Sequence, residues 1–408
     1  MDNFKLRPSE LFNKKRKLDE LSAHRHCKVV QIGSGESGYS SFSLLSRVGH
    51  FQREETMAIT ESPIHRPRHG QLYYALHNYE RIDFEVPYIK SFMNDEVVFD
   101  RVVELDLDKK KLVFMGNEFV TYDYLMLNCG REVDTTGLEA LMDRIDVKDN
   151  FYYTVDDFNS LEKMREDFEY FHNGVVFNLV AQKSADGCLQ LLSLAFLLRH
   201  LYDKAEINVY FEAERLSPSD AVNAKIIEQL GRNDIRVALG SKLVLEGDSD
   251  NLSVKINGAT EITDDIVIFS FNKKTPEFLT QASLSIEEFN LETLQHRQHP
   301  SLFASGSLVY PNSTLGQKYS QARVQIENFN RAVGNEWYGR SVELLKYKHE
   351  HDVIIHKTFD HISKIYEATG KSDGLLKAKL RSLRHLNTDL FKYMYVLPRG
   401  WGLKRLFR

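Results

Sequence analysis

Cysteine is scarce in this 408-residue chain, and its distribution matters: Cys27, Cys129 and Cys188 are the three present, and none follows position 188. So few thiols cannot staple a secreted scaffold, and their spacing makes no zinc site, so a reducing compartment and no metal are expected. Long hydrophobic runs are lacking too. The longest apolar stretches, such as LLSLAFLL at 191–198, fall well short of the roughly 20 residues that span a bilayer. A charge excess is also lacking: 53 basic residues stand against 58 acidic ones, which argues against a nucleic-acid partner or a general attraction to membrane surfaces. Apolar residues, by contrast, make up 42% of the chain, enough at this length to bury the cores of two or three domains.

An N-terminal arm, residues 1–27, contains FNKKRKLDELSAHRH. It is basic and helix-compatible, but Glu10, Asp19 and Glu20 are acids that a transit peptide avoids, so a solvated helix or a partner-binding arm is favoured over a targeting signal. Next comes KVVQIGSGESGYSSFSLLSRV, 28–48, which reads as an apolar strand, a glycine turn and a helix. TMAITES at 56–62 reads as a second strand, and 96–130 alternates as several short strands with turns at Asp108 and Gly116. From residue 151 the pattern changes to strands alternating with helices: helix 156–171, strand GVVFNLV, helix 188–202, strand EINVYF, helix 219–231, strand IRVAL and a meander through Phe269. PSLFASGS, 300–307, and a helix over 315–333 follow.

Alternating strands and helices imply doubly wound parallel sheets. The expected fold is α/β: two Rossmann-like domains of the FAD/NAD(P)-binding type with a helical C-terminal region. The first would be discontinuous, 28–150 and 290–335, the second 151–289, and a partner- or membrane-facing region 336–408. In that region Leu375, Leu376, Leu380, Leu383, Leu386 and Leu390 mark an apolar stripe.

Gly33, Gly35 and Gly38 form G-x-G-x-x-G between strand and helix, where bare amides and the positive helix end can hold a pyrophosphate. Glu61 ends the next strand, where a carboxylate would receive ribose hydroxyls. Together these predict a dinucleotide-binding fold, although Glu36 inside the loop brings negative charge to the phosphate position. The corresponding turn of the second unit, AQKSADGCLQ at 181–190, has Gly187 alone, so no NAD(P)H is expected there. Cys188 at the start of a helix is read as a buried core residue rather than a reactive thiol. His296 and His299 are expected in a solvent-exposed turn. HRPRHGQLYY, 65–74, reads equally well as an anion cradle using Arg66 and Arg68 or as a solvated loop. The tail LFKYMYVLPRGWGLKRLFR interleaves aromatics with cations and suits a membrane interface, an acidic protein groove or docking on the chain's own core.

VVQIGSGESG, FVTYDYLMLNCG, NLETLQHRQHPSLFASGS and RGWGLKRLFR together resemble a sulfide:quinone oxidoreductase of the mitochondrial type, within the flavoprotein disulfide reductase superfamily. The resemblance runs from Lys28 to Arg408. It implies FAD in the first domain, held through Gly33, Gly35, Gly38, Glu61, Gly130 and the Gly306–Ser307 turn, and a C-terminal region leaning on a membrane. It also implies two redox cysteines. Their positions fall on Ala185 or Asp186, with Cys188 close but displaced, and near Val342, so the thiolate–disulfide route of sulfur transfer is not available. Ser307 stands where the family has a flavin-binding Asp, and Gln317 and Lys318 where it has small residues.

The departures imply FAD weakly held or lost, and a catalytically degenerate protein acting as a structural or accessory subunit of a membrane-associated complex on the matrix side of the mitochondrial inner membrane. Protein subunits would then be its partners, with peripheral membrane contact through the tail. The alternative is an FAD-dependent oxidoreductase passing electrons from sulfide or another thiol donor to quinone, with Cys188 its one candidate catalytic residue. A non-redox sensor of adenine nucleotide or another anion at Gly33–Gly38 is a third, weaker reading.

Overall fold

The computed structural model describes residues 24–45, 55–66, 68–76, 85–87, 96–147, 150–183, 188–216, 220–248, 251–262, 266–311 and 315–347. The leucine stripe, the basic aromatic tail, Ala185, Asp186 and Gly187 lie outside the described residues.

The glycine-rich turn is set by the first strand, β1 (His24–Ile32), and the helix after it, α1 (Glu36–Leu45). β1 starts at His24, so His24–Cys27, read from sequence as the end of the arm, pair in the sheet with Phe119–Tyr122. β2 (Thr56–Thr60), α2 (Arg68–Ala75), β3 (Glu96–Phe99), β4 (Val102–Asp106), β5 (Lys111–Phe114) and β6 (Phe119–Leu127) follow. The first sheet has the order β3-β2-β1-β6-β5-β4. β1 is parallel to β2 and β6, and β4, β5 and β6 form an antiparallel meander. β1 is apolar on both faces, with Cys27, Val29, Val30 and Ile32 all buried, as expected of a central parallel strand covered on both sides.

The second sheet, β7-β14-β8-β9-β10, is parallel throughout. Its strands are β7 (Tyr152–Thr154), β8 (Val176–Ala181), β9 (Glu206–Phe211), β10 (Ile235–Leu239) and β14 (Ile266–Ser270), and the helices between them are α3 (Phe158–Glu166), α4 (Cys188–Leu201) and α5 (Asp220–Arg232). Asp157 caps α3 by accepting a hydrogen bond from the Ser160 amide at 3.0 Å, the contact expected of an N-cap carboxylate. Three short strands, β11 (Leu243–Glu246), β12 (Ser253–Ile256) and β13 (Thr260–Ile262), form the meander between β10 and β14.

The chain then returns to the first sheet, where β15 (Leu302–Ala304) pairs in parallel with Leu125–Leu127 of β6. The last described helix, α6 (Leu315–Tyr338), packs along α1. The late strand thus joins the first sheet, and the helix after it covers α1.

The two sheets are joined by more than their crossovers. Glu132–Val133 pair antiparallel with Lys273–Lys274. Lys273 Nζ lies 2.8 Å from Asp156 Oδ1, both side chains being shut off from solvent, and the Phe271 amide donates to Asp156 Oδ2 at 2.7 Å. Leu72, Ala75 and Leu76, at the end of α2, belong to the core of the second sheet. Among the described residues no helix is long and apolar enough to cross a membrane.

Candidate dinucleotide site

The three fingerprint glycines answer to different constraints. Gly33 has φ of 97°, and a Cβ there would stand 2.4 Å from the Asn128 carbonyl oxygen and the Cys129 Cα. At Gly38 a Cβ would come within 2.2 Å of the Gly33 carbonyl oxygen. Both are therefore fixed by the packing of α1 against the strand ends. Around Gly35 nothing lies within 4 Å of that position, so only there does the absent side chain leave space that a ligand could use.

Gln31 braces the turn from below, its Nε2 donating to the carbonyls of Gly38 at 2.7 Å and Gly33 at 3.2 Å. The Ser34 and Thr60 hydroxyls hydrogen-bond to each other, tying the turn to β2. His65 lies under the turn, stacked on Tyr39 with ring centroids 4.5 Å apart, and its Nδ1–H donates to the Ser34 carbonyl at 2.8 Å. Burial drives the His65 imidazole down to about 4, against the opposing pull of the Glu36 carboxylate and the Ser34 hydrogen bond, so it is neutral at physiological pH.

Across the turn, side chains from five segments meet. The Ser37 and Ser305 hydroxyls are 2.5 Å apart, and Ser305 donates to Asn128 Oδ1 at 2.7 Å. Gln325 Nε2 donates to the same oxygen at 3.0 Å, while Gln325 Oε1 accepts from Ser41 at 2.7 Å. One turn back along α6, Gln321 Oε1 accepts the Gly306 amide at 2.9 Å, and its Nε2 reaches the Tyr347 hydroxyl at 3.4 Å. Ser37, Ser41, Asn128, Ser305, Gln321 and Gln325 are all buried. The Asn128 amide group Nδ2 is left without an acceptor, an unsatisfied donor of the kind that a bound acceptor or an ordered water completes.

Glu36 opens α1 with its carboxylate 3% exposed, and Lys318 Nζ in the first turn of α6 lies 2.6 Å from its Oε2. Lys318, which stands where the resembled family has a small residue, thus reaches the start of α1 beside the phosphate turn. The side chain of Gln317 lies outside the described residues.

Of the residues singled out by sequence, Gly33, Gly35, Gly38, Gly130, Gly306 and Ser307 come together. Gly130 and Gly306 both have positive φ, 72° and 78°. Ser307 Oγ lies 3.1 Å from where a Cβ on Gly130 would be, and Ser37 Cβ lies 2.9 Å from the same position on Gly306. Glu61 stands just past the end of β2, its side chain 69% exposed and 3.8 Å from Arg101. Cys188 begins α4 in the second domain, and its side chain lies outside the described residues. Val342, near the second cysteine position, is 43% exposed in a segment without regular structure after α6. Desolvation pushes the Cys129 thiol up to about 12, so it supplies no thiolate at neutral pH, and Cys27 is buried in β1.

Of the two sequence readings of HRPRHGQLYY, the anion cradle finds Arg66 already engaged: it pairs with Glu85 at 2.8 Å and lies over the Phe158 ring of α3 at 4.3 Å. The Arg68 side chain lies outside the described residues. His296 is buried, not exposed: its Nδ1 accepts the amides of Gln298 and His299, each at 3.1 Å, and Nε2 faces Glu288 at 3.2 Å. No group of three or more metal-ligating side chains occurs among the described residues. A cleft of about 500 Å³ lined by Glu104, Asp106, Asp108, Gln281 and His299 lies outside the phosphate turn.

The amide and hydroxyl network was missed in the sequence. Its signal was there: Ser37 and Ser41, and Gln321, Gln325 and Asn328, recur at helical spacing on one face of α1 and of α6, where apolar residues would be expected between packed helices.

This fold is shared with solved structures of low sequence identity. The sulfide:quinone oxidoreductase of the hyperthermophilic bacterium Aquifex aeolicus aligns over 77% of each chain with a TM-score of 0.61 at 14% identity. A chain of the Tetrahymena thermophila mitochondrial ATP synthase aligns over 79% of this chain and 82% of its own, TM-score 0.61, at 15% identity. The NAD-dependent persulfide reductase of A. fulgidus aligns over 74% of this chain and 59% of its own, TM-score 0.55, at 20% identity. The fold is that of the FAD/NAD(P)-binding oxidoreductases. Comparison with protein-family models finds no match, and neither does comparison with curated proteins.

Proposed function

We propose that this chain is a catalytically silent relative of the sulfide:quinone oxidoreductases, serving as a structural or accessory subunit of a membrane-associated complex on the matrix side of the mitochondrial inner membrane. The observation that carries this reading is the buried network of the chain's own side chains beside the glycine turn. Ser37, Ser305, Asn128 and Gln325 bond to one another between α1, the Gly306 turn and α6, and Gln321 accepts the Gly306 amide beside them. Three further facts agree with it. The chain has three cysteines, none after residue 188, and two of them are buried or held as neutral thiols. Glu36 places a carboxylate at the helix end that a pyrophosphate would need. The likeness to a chain of an ATP synthase covers most of both chains, an instance of this fold inside a large assembly.

The alternative reading, an FAD-dependent oxidoreductase passing electrons from sulfide or a thiol to quinone, draws on the open space at Gly35, the exposed Glu61 carboxylate and the unsatisfied Asn128 amide. Those features suit the adenosine side of a dinucleotide; the carboxylate at the start of α1 does not suit its phosphates.

Purification from native membranes, followed by a visible absorbance scan and sizing under mild detergent, tests both readings. A colourless protein eluting within a large complex is expected. A free yellow monomer whose flavin spectrum bleaches on adding sulfide would overturn the proposal.

A further inference from the structure

We propose that Glu36 is a resident anion: its carboxylate takes the electrostatic place of a nucleotide phosphate at the start of α1, with Lys318 as its fixed counter-ion, and it is the residue by which this chain rejects nucleotide phosphates. The inference rests on the reading of the first domain as catalytically silent and names the residue that makes its phosphate turn so.

An acid in the first turn of a helix is common, but such acids usually face water. Glu36 does not: its side chain is 3% exposed and Lys318, itself 14% exposed, lies against it. The partner comes from 282 residues away in sequence and from the first turn of another helix. The unpaired amides of α1 and α6 both carry partial positive charge at these ends. The start of α1, which Glu36 opens, and the Lys318 ammonium thus meet at one carboxylate. Without that carboxylate, the same groups would form a site for a phosphate or pyrophosphate, beside a Gly35 that leaves space for its approach. His65 packs beneath as a neutral ring and adds no charge of its own.

The test is calorimetric titration of the full-length protein and its Glu36→Gln variant with ADP and, separately, inorganic pyrophosphate. Glu36→Gln keeps the shape and removes the charge. It is expected to bind both ligands at least about tenfold more tightly than wild type, and Glu36→Gln with Lys318→Met is expected to lose that gain. A gain for pyrophosphate equal to that for ADP assigns the effect to phosphate alone; a larger gain for ADP adds the adenosine side near Glu61, and both outcomes support the proposal. Equal affinity of wild type and Glu36→Gln, or a gain that survives Lys318→Met, overturns it. Should Glu36→Gln fail to fold, as judged by its melting profile, Glu36→Ala takes its place with the same readouts. A flavin absorbance scan of the wild type, taken beforehand, judges the silent-subunit reading separately, since the present proposal stands or falls on the difference between the two proteins.

Discussion

Replacing Lys318 by Met removes a cation while keeping most of the side chain's length, and its cost follows from the geometry. Unit charges 2.6 Å apart attract by about 6 kcal/mol at an effective dielectric constant of about 20. Against this, taking each ion out of water costs several kcal/mol, so the intact pair is near break-even relative to neutral groups of the same shape. Breaking it from one side is different. Lys318→Met takes the ammonium away from the buried Glu36 carboxylate, which costs about 3–5 kcal/mol. The α1 amides, which favour an anion in the first turn, return about 1 kcal/mol of that. The net expectation is a loss of about 2–4 kcal/mol, against about 1 kcal/mol or less for Glu36→Gln, because Lys318 is partly exposed and keeps access to water. The double variant should recover most of what Lys318→Met loses.

Urea unfolding measures the three losses and the coupling between the two sites. With two sheets in the chain a single unfolding free energy is not guaranteed, so hydrogen exchange of the α1 amides is read alongside to localise the effect. Lys318→Met within about 0.5 kcal/mol of wild type, or a double variant as unstable as Lys318→Met alone, would refute the reasoning, since the penalty would then not come from a stranded charge.

Three other outcomes are expected. His65 is neutral in the fold and held down to about 4, so the unfolded chain, whose histidines titrate near pH 6.5, takes up a proton that the native state refuses. The stability contributed by His65 is complete above that pH and falls as pH drops, by about 3 kcal/mol on reaching pH 4. His65→Phe, which keeps a ring against Tyr39, should flatten this part of the pH profile of urea midpoints, and an unchanged slope would count against it. Gly33→Ala should cost about 3 kcal/mol or more because its Cβ meets backbone at 2.4 Å in a positive-φ turn, whereas Gly35→Ala meets nothing and should stay within about 0.5 kcal/mol; equal melting points for the two would contradict the assigned constraints. Cys27 and Cys129 should resist alkylation in the native protein at neutral pH, and peptide mapping that finds Cys129 modified as fast as in urea would show its thiol to be free.

The alternation of strands and helices was legible in the sequence because parallel strands covered on both faces are nearly pure apolar runs, as in Val176–Ala181 and Ile266–Ser270, and because helices between them carry their own period. The return of Leu302–Ala304 to the first sheet was legible for the same reason. Spatial pairings over long sequence separations were not. Nothing local at Arg66 says that Glu85 and Phe158 will claim it. Nor does TLQHRQHP say that His296 turns inward, since that orientation depends on the amides of a tight turn filling its Nδ1 and on Glu288 facing its other nitrogen.

The glycine triplet shows why a binding motif and a binding site separate. Two of its three glycines are held by helix-on-strand packing alone, Gly33 against Asn128 and Gly38 against Gly33 itself, and would be needed even if no nucleotide ever bound. A sequence drifting away from cofactor use would therefore keep G-x-G-x-x-G while changing the positions that touch only the ligand. In this chain polar and charged residues stand between and beyond the glycines: Glu36 after Gly35, Ser307 after Gly306, and Lys318 in the first turn of α6. The motif thus reports the architecture of the turn, and the residues between and beyond its glycines report whether a phosphate is welcome there.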